Sequence, residues 1–300
     1  MNDLDELFEQ CAQEREAQPE APAFDLDKFK ARKQQERSDV YSLLEKTTEE
    51  VKDNGEKLQL YLDVQSRFDR HSVNNALLIT SQMPFATKLA DFETWKDAGV
   101  RIEKGASAIS ILEPGREYER DDGSTATSFN VKKVFDVSQT NSKQQGLPII
   151  TRDERLLLKS LITHAPCKIT ISESMSEKLN AVYDPSAKEI FVRQGMDGAT
   201  IFRTLTNELA HAHMDKGNYA RSENTFTAYC VSYMLCKRYG VSVDTFSFDK
   251  APERYSKMEP KQFRAELNKI RDVAGEISRS MNRVLESQDR SKKDRGAEAR

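Results

Sequence analysis

Apolar residues recur every three or four positions through the first hundred residues, which is the period of an amphipathic helix. The pattern predicts helices that begin near Val40 and Leu58, a third over Ser72–Ser81, and a short one, FETWKDA, after Asp91. Ser72 and Asp91 are residues that cap a helix N-terminus, and Pro84 follows the third helix where a proline is expected. The chain therefore begins its fold with helices.

The period changes from helical to strand-like after Gly99. Strands are predicted at 100–103, 107–112 and 127–137, with an Asp-Asp-Gly turn at 121–123 between the last two. A turn of this type between two strand patterns predicts a hairpin. Helices followed by a small antiparallel sheet make the first half α+β.

A polar stretch with Gly and Pro at 138–150 is the predicted linker. The elements predicted beyond it are a helix at 152–164, a strand at 167–171, a strand pair AVYDPSAKEIFV that returns at 189–192, helices at 198–216 and 222–239, and a last helix at 260–287. We expect a flexible charged leader at 1–36, a first domain at 37–140, a second at 150–250, a C-terminal helix at 251–287 and a disordered tail at 288–300.

Charge and composition exclude several classes of protein. The 300 residues carry 46 Lys and Arg against 49 Asp and Glu, a formal charge of -3, so the whole chain is not a polycation for nucleic acid. The acidic start Met1–Gln18 is unlike a signal peptide, and the apolar runs are too short to span a membrane. The cysteines form no C-x-x-C pair, which favours free thiols. A cytoplasmic protein with no membrane partner is expected.

The most specific chemical signal is the segment TLTNELAH, which contains Asn207, Glu208 and His211. In zinc peptidases the pattern H-E-x-x-H places two imidazoles on one helix face, where both bind one Zn²⁺ while the Glu polarises the metal-bound water. This chain keeps the Glu and the second His, but Asn replaces the first. A catalytic zinc takes three protein ligands, so this helix alone leaves the site short.

A further ligand would come from the next helix, where Glu223 is the carboxylate candidate. The same residue is also explained as a first-turn acid that the helix dipole favours. His213, two residues after His211, points about 200° away around the helix. Two interpretations stay open: an ordinary helical hairpin over 198–239, or a zincin-like scaffold in which an edge strand at 189–192 binds substrate by strand addition.

Basic, amide and aromatic side chains occur together between Arg67 and Lys104. Proteins that bind single strands use cations and amides for phosphates and flat rings for base stacking. Trp95 is the only tryptophan, and its alternative role is a core aromatic on a short helix. Acids are as frequent as bases in this region, so the alternative for the lysines and arginines is a solvated face.

Five sequence pieces occur in this region in a fixed order: Asn74-Asn75, Gln82–Thr87, Thr94-Trp95-Lys96, Lys104-Gly105 and Val134–Thr140. Together they resemble the N-terminal domain of the ArdC family, anti-restriction proteins of plasmids and conjugative elements whose N-terminal domain binds single-stranded DNA. Five ordered pieces are more specific than any single short motif. The resemblance continues at Glu208–Ala212 and Ala228–Val241, where the family carries a zinc-metallopeptidase-like domain.

The resemblance implies an α+β fold, with N-terminal helices and a small antiparallel sheet followed by a zincin-like α+β domain that has a helical hairpin and a C-terminal helix. It implies single-stranded DNA as the partner. The residues predicted to bind DNA, from their side-chain chemistry together with this resemblance, are Arg67, Arg70, Asn74, Asn75, Thr87, Lys88, Trp95, Lys96, Arg101 and Lys104.

For the second domain the resemblance implies Glu208 as the catalytic residue of an active enzyme and His211 as a metal ligand, and Glu223 stays the candidate ligand that the next helix offers. The sequence departs from the family at Asn207 and at Thr225 or Thr227, where an acid is expected. Because of these departures we expect a degenerate peptidase domain without a cofactor, zinc being the metal that the intact motif would bind.

Three functions are therefore hypotheses. The favoured one is a single-stranded-DNA-binding, anti-restriction-like accessory protein of a plasmid or conjugative element. The second is an active zinc metallopeptidase that uses Glu208 and His211. The third is a protein-interaction module in which the peptidase-like domain binds a protein partner.

Overall fold

The computed structural model describes residues 25–142, 153–217, 219–249 and 253–298. The chain divides into two compact units, Met1–Asp39 and Val40–Arg300. Residues 1–24 of the predicted leader and 143–150 of the predicted linker lie outside the described residues. The leader's described part, from Leu26 onward, is helical.

Local signals explain where the helices of the first half begin. Asn54, Ser72 and Asp91 each accept a hydrogen bond from the backbone N–H three residues later, which satisfies a donor that the helix itself leaves unpaired. The elements are α1 (Leu26–Asp53), α2 (Gly55–Arg67), α3 (Val73–Gln82), β1 (Leu89–Ala90), α4 (Phe92–Asp97), β2 (Ile109–Glu119) and β3 (Thr125–Asp136).

The strands of this half form an antiparallel sheet in the order β1-β3-β2. The predicted hairpin is confirmed, and Gly123 adopts a φ of 79° in its turn, a value that favours glycine. The strand predicted at 100–103 is wrong, because this segment makes only an isolated bridge between Ile102 and Thr140. Gly99 and Gly105, both with positive φ, bend the chain on either side of it.

The second half has a mixed sheet beside a helical hairpin. Its elements are α5 (Glu154–Thr163), β4 (Lys168–Ser172), β5 (Ala181–Asp184), β6 (Glu189–Arg193), α6 (Gly198–Met214), α7 (Arg221–Tyr239), α8 (Glu253–Ser256) and α9 (Pro260–Glu298). The strand order is β4-β6-β5, with β4 parallel and β5 antiparallel to β6. The prediction of an edge strand at 189–192 is therefore wrong: β6 is the middle strand, and β5 and β4 are at the edges.

The α6–α7 hairpin is held by buried polar and apolar contacts. The hydroxyl groups of Thr206 and Ser232 lie 2.9 Å apart, and α7 also contacts α2, where the Tyr233 hydroxyl donates to Asp63 over 2.6 Å. These contacts cross the predicted boundary between the domains at 37–140 and 150–250, and that division stays a prediction.

The expected α+β fold is confirmed. The last helix, α9, continues to Glu298 and so covers most of the segment for which the sequence predicts a disordered tail, 288–300. Among the described helices, none has the length and apolar character needed to cross a bilayer.

Candidate functional site

Two amide side chains of α3 cover the outer edge of β2. Asn75 donates to the Leu112 carbonyl and accepts from its N–H, both over 2.8 Å. Gln82, two helical turns later, donates to the Ser110 carbonyl and accepts from its N–H, both over 2.9 Å. Each amide thus forms the pair of hydrogen bonds that a neighbouring strand would form, and so satisfies backbone N–H and C=O groups that an edge strand leaves unpaired. Asn75, predicted to bind DNA, is 8% exposed and is committed to this contact.

Asp136 joins the end of β3 to the turn before β1. Its Oδ1 accepts from the N–H groups of Thr87 (2.7 Å) and Lys88 (2.8 Å), and its Oδ2 accepts from the N–H and hydroxyl of Ser138. Burial alone would raise the pKa of Asp136, but hydrogen bonds from Ser138, Lys88 and Thr87 outweigh it and hold the pKa below its ordinary value. The buried carboxylate therefore fixes the backbone at Thr87 and Lys88.

Arg67 holds the same turn from its other side. Its guanidinium donates to the carbonyl oxygens of Pro84 and, over 3.0 Å, Ala86. Burial lowers the pKa of Arg67, yet an arginine remains charged. Arg67 was predicted to contact DNA, and the structure places its hydrogen-bonding groups against the protein backbone.

Trp95 lies in the interior. It is 2% exposed, and its indole N–H donates to the Phe135 carbonyl over 3.0 Å. The Lys88 ammonium lies 5.5 Å from the centre of the ring, a cation–π distance. A ring buried in this way has no open face for a base, so the stacking role predicted for Trp95 does not agree with its position.

The remaining predicted cations are on the surface. Lys96 lies 3.9 Å from Glu93, a separation at which an exposed pair contributes little. Asn74 is half-buried, and Thr87 is half-buried and engaged through its backbone. The exposed cations are Arg70, Lys88, Lys96, Arg101 and Lys104.

The loop that carries two of these cations is bonded to the segment after β3. The Arg101 N–H donates to the Asn141 side chain over 2.8 Å, and the Glu103 N–H donates to the Gln139 carbonyl over 2.9 Å. The side-chain amide of Gln139 in turn donates to the Ser107 carbonyl. The Lys104-Gly105 loop and the Val134–Thr140 segment are thus one structural piece.

In the second half, Glu208 of α6 is 4% exposed and forms an ion pair. The Arg221 guanidinium donates to both of its oxygens, over 2.7 and 2.9 Å, and the backbone N–H of Tyr183 in β5 donates to Oε2 over 2.7 Å. A bidentate pair of this kind neutralises the carboxylate. The groups around Glu208 are therefore those of a satisfied buried ion pair.

His211, one turn later, is fully buried. Its Nδ1 is hydrogen-bonded to the Tyr219 hydroxyl, whereas Nε2 has no protein partner. Burial, with a smaller effect of the Arg221 charge, lowers the pKa of His211 to about 3. The imidazole is neutral at pH 7, and its open nitrogen has the character of a metal ligand.

The other groups that a zinc site would require are elsewhere. Glu223 is exposed, and His213 contacts Glu276 of α9 over 2.9 Å. Among the described residues, no group of three His, Cys, Asp or Glu side chains is placed to hold a metal ion, and the Arg221 cation lies beside the one suitable imidazole. The donor set present therefore does not fit the zinc that the resemblance implies.

Asn207 differs from His211 in its surroundings. It borders an open cleft of about 510 Å³ between α6 and the segment 178–181 that leads into β5. Thr200, Arg203 and Thr204 are on the same border. The two positions that would carry the paired imidazoles are therefore unlike: one faces an open cleft and the other the core.

Sequence reasoning missed three residues of these sites. Phe85 is 81% exposed between the carbonyl groups that Arg67 binds, and the motif pattern treats its position as variable. Arg221 and Tyr219 complete the surroundings of Glu208 and His211. Arg221 is the first residue of α7 and Tyr219 lies in the segment before it, and neither position belongs to a sequence pattern that would reveal such contacts.

Comparison with known proteins gives limited matches. The uncharacterized protein pXO2-81 of Bacillus anthracis is 27% identical, over 61% of this chain and 40% of its own length, so the chain spans less than half of that relative. No protein-family model matches the chain.

Among solved structures, two crystal structures of the antirestriction protein ArdC from plasmid R388 are similar. The metal-free form has a TM-score of 0.48 and 16% identity, and covers 70% of this chain and 85% of its own. The Mn(II)-bound form has a TM-score of 0.46 and 17% identity, and covers 74% and 98%.

Proposed function

We propose that this protein binds single-stranded DNA as an anti-restriction accessory protein of a plasmid or conjugative element. The observation that carries the proposal is that four of the five sequence pieces contact one another or their immediate neighbours. Asp136 binds the turn that contains Thr87, Trp95 donates to Phe135 beside it, and Gln139 binds the loop of Lys104. These contacts explain why residues of such different types occur together in a fixed order.

The surface around this unit supplies the chemistry that a single strand requires. Exposed Arg101 and Lys104 are on the loop bonded to the exit of β3, and exposed Lys88 follows the turn held by Asp136. Phosphates are bound by cations whose side chains reach solvent. Half-buried Arg67 binds the carbonyl groups of Pro84 and Ala86 and so holds the turn that comes just before Lys88.

The proposal treats the second half as a peptidase-like domain without catalysis. It is supported by the ion pair of Glu208 with Arg221, which engages both oxygens of the only carboxylate in the motif. A protein partner for this half stays a prediction.

The test is a fluorescence anisotropy titration of the full chain with a labelled single strand and with the matching duplex, at several salt concentrations. We expect tighter binding to the single strand, with a logarithmic salt slope of about -0.7 for each phosphate contacted. Lys104→Ala should reduce the slope by about one such contact. The control is Lys257→Ala, at an exposed lysine in the turn after α8, and it should leave the slope unchanged. Equal affinity for duplex, or no salt dependence, would refute the proposal.

A further inference from the structure

Phe85 is the most exposed of the large apolar side chains in the described part of the chain, at 81%. It lies in the turn between α3 and β1, at a variable position of the Gln82–Thr87 piece. A single apolar residue on a surface is ordinary and needs no explanation. What sets Phe85 apart is the rigidity of the backbone that carries it.

The turn is held on both sides of Phe85. One guanidinium, from Arg67, binds the carbonyl oxygens of the residues immediately before and after it, Pro84 and Ala86. Ala86 is fully buried, and its N–H donates to the Met83 carbonyl over 3.0 Å. Immediately afterwards Asp136 binds the next two N–H groups. Two charged side chains are thus withdrawn from water to fix a turn whose central ring faces outward.

A ring held in this way is suited to stack on an unpaired base. Stacking requires an aromatic face open to solvent, and the entropy of ordering the backbone is already lost before a ligand binds. A cation follows closely along the chain: Lys88 is three residues later, and its ammonium lies near the Trp95 ring. An exposed ring followed three residues later by an exposed lysine matches a base and its phosphate better than it matches an apolar protein surface.

We propose that Phe85 is the base-stacking residue of this protein, in the role that the sequence pattern gives to Trp95, and that Arg67 is its positioning residue. The occupant is an unpaired nucleobase of a DNA single strand. This inference rests on the proposed function, and its test separates the two.

The test compares variants of the full chain in anisotropy titrations with a labelled oligothymidine. Phe85→Ala should weaken binding about 5- to 150-fold, while the logarithmic salt slope stays at the wild-type value because no charge is lost. Phe85→Trp, which keeps a flat ring, should bind within about threefold of wild type. Phe85→Leu, which keeps an apolar side chain without a ring, should resemble Phe85→Ala.

The matched control is Tyr118→Ala, since Tyr118 is an aromatic residue of β2 that is 52% exposed and is not part of the turn. It should bind like wild type, and all variants should have the wild-type melting temperature. If wild type binds no single strand, the proposed function fails and this inference with it. If wild type binds but Phe85→Ala matches Tyr118→Ala, or Phe85→Leu matches wild type, the stacking role is refuted while the proposed function stands.

Discussion

The ion pair between Glu208 and Arg221 leads to a quantitative prediction about stability. The Glu208 side chain is 5% exposed and that of Arg221 41% exposed, so Arg221→Ala leaves a buried carboxylate whose remaining hydrogen bond comes from the Tyr183 N–H. Removing one partner of a buried pair destabilises a protein by about 3–5 kcal/mol. Solvent reduces this value here.

Water can enter the space that a half-exposed arginine leaves, so part of the lost interaction is replaced by hydration. We therefore expect Arg221→Ala to lower the free energy of unfolding by about 2–3 kcal/mol at pH 7.

The assay is urea unfolding followed by far-ultraviolet circular dichroism. Glu208→Gln combined with Arg221→Ala should recover part of the loss, since the double variant removes the unpaired charge. Lys257→Ala is the control, because Lys257 and Glu253 form a pair with both side chains largely exposed, and it should cause no measurable change. A loss from Arg221→Ala no larger than that from Lys257→Ala would show that the Glu208 carboxylate does not depend on this partner.

Three further predictions concern the metal position, the tryptophan and the buried imidazole. Asn207→His, alone or with Arg221→Ala, should gain no tight zinc in a chelator competition, because position 207 borders the cleft, the His211 imidazole is buried and no third ligand is placed beside them among the described residues; stoichiometric zinc in either variant would contradict this. Trp95→Ala should lower the free energy of unfolding by about 3–5 kcal/mol, and a change in DNA affinity without loss of stability would favour the stacking role. The pKa of His211 falls from 6.5 in the unfolded chain to about 3 in the folded one, so the stability that the neutral imidazole contributes is present above pH 6.5 and is lost as the pH falls toward 3. At pH 5 the loss is about 2 kcal/mol. His211→Gln should lose less stability than wild type between pH 7.5 and pH 5, and equal losses would argue against the shift.

Several elements of this protein follow from local sequence. Ser72 and Asp91 cap the helices that they were predicted to cap, and the Asp-Asp-Gly turn lies between β2 and β3. These features depend on residues a few positions apart, so the chain's own periodicity and turn chemistry determine them. The helix that carries Glu208 and His211 is likewise predicted by its local sequence pattern.

Other features depend on which surfaces meet. A strand pattern at 189–192 does not reveal its neighbours, and only the assembled sheet places β6 between β4 and β5. A short helix likewise gives too few positions to say which face is covered, so the sequence left two roles open for Trp95, base stacking and core packing. Only the tertiary structure places its ring in the interior, where it is 2% exposed.

The same limit applies to charge. In sequence, Arg67 and Arg221 are two basic residues among many, and charge with helical spacing typically indicates a solvated face. In the structure the first binds carbonyl oxygens 17 and 19 residues away along the chain, and the second binds a carboxylate 13 residues away. Composition and spacing determine which groups are charged, but only the tertiary structure brings a particular acceptor to each cation, because the nearest partner in space is set by packing.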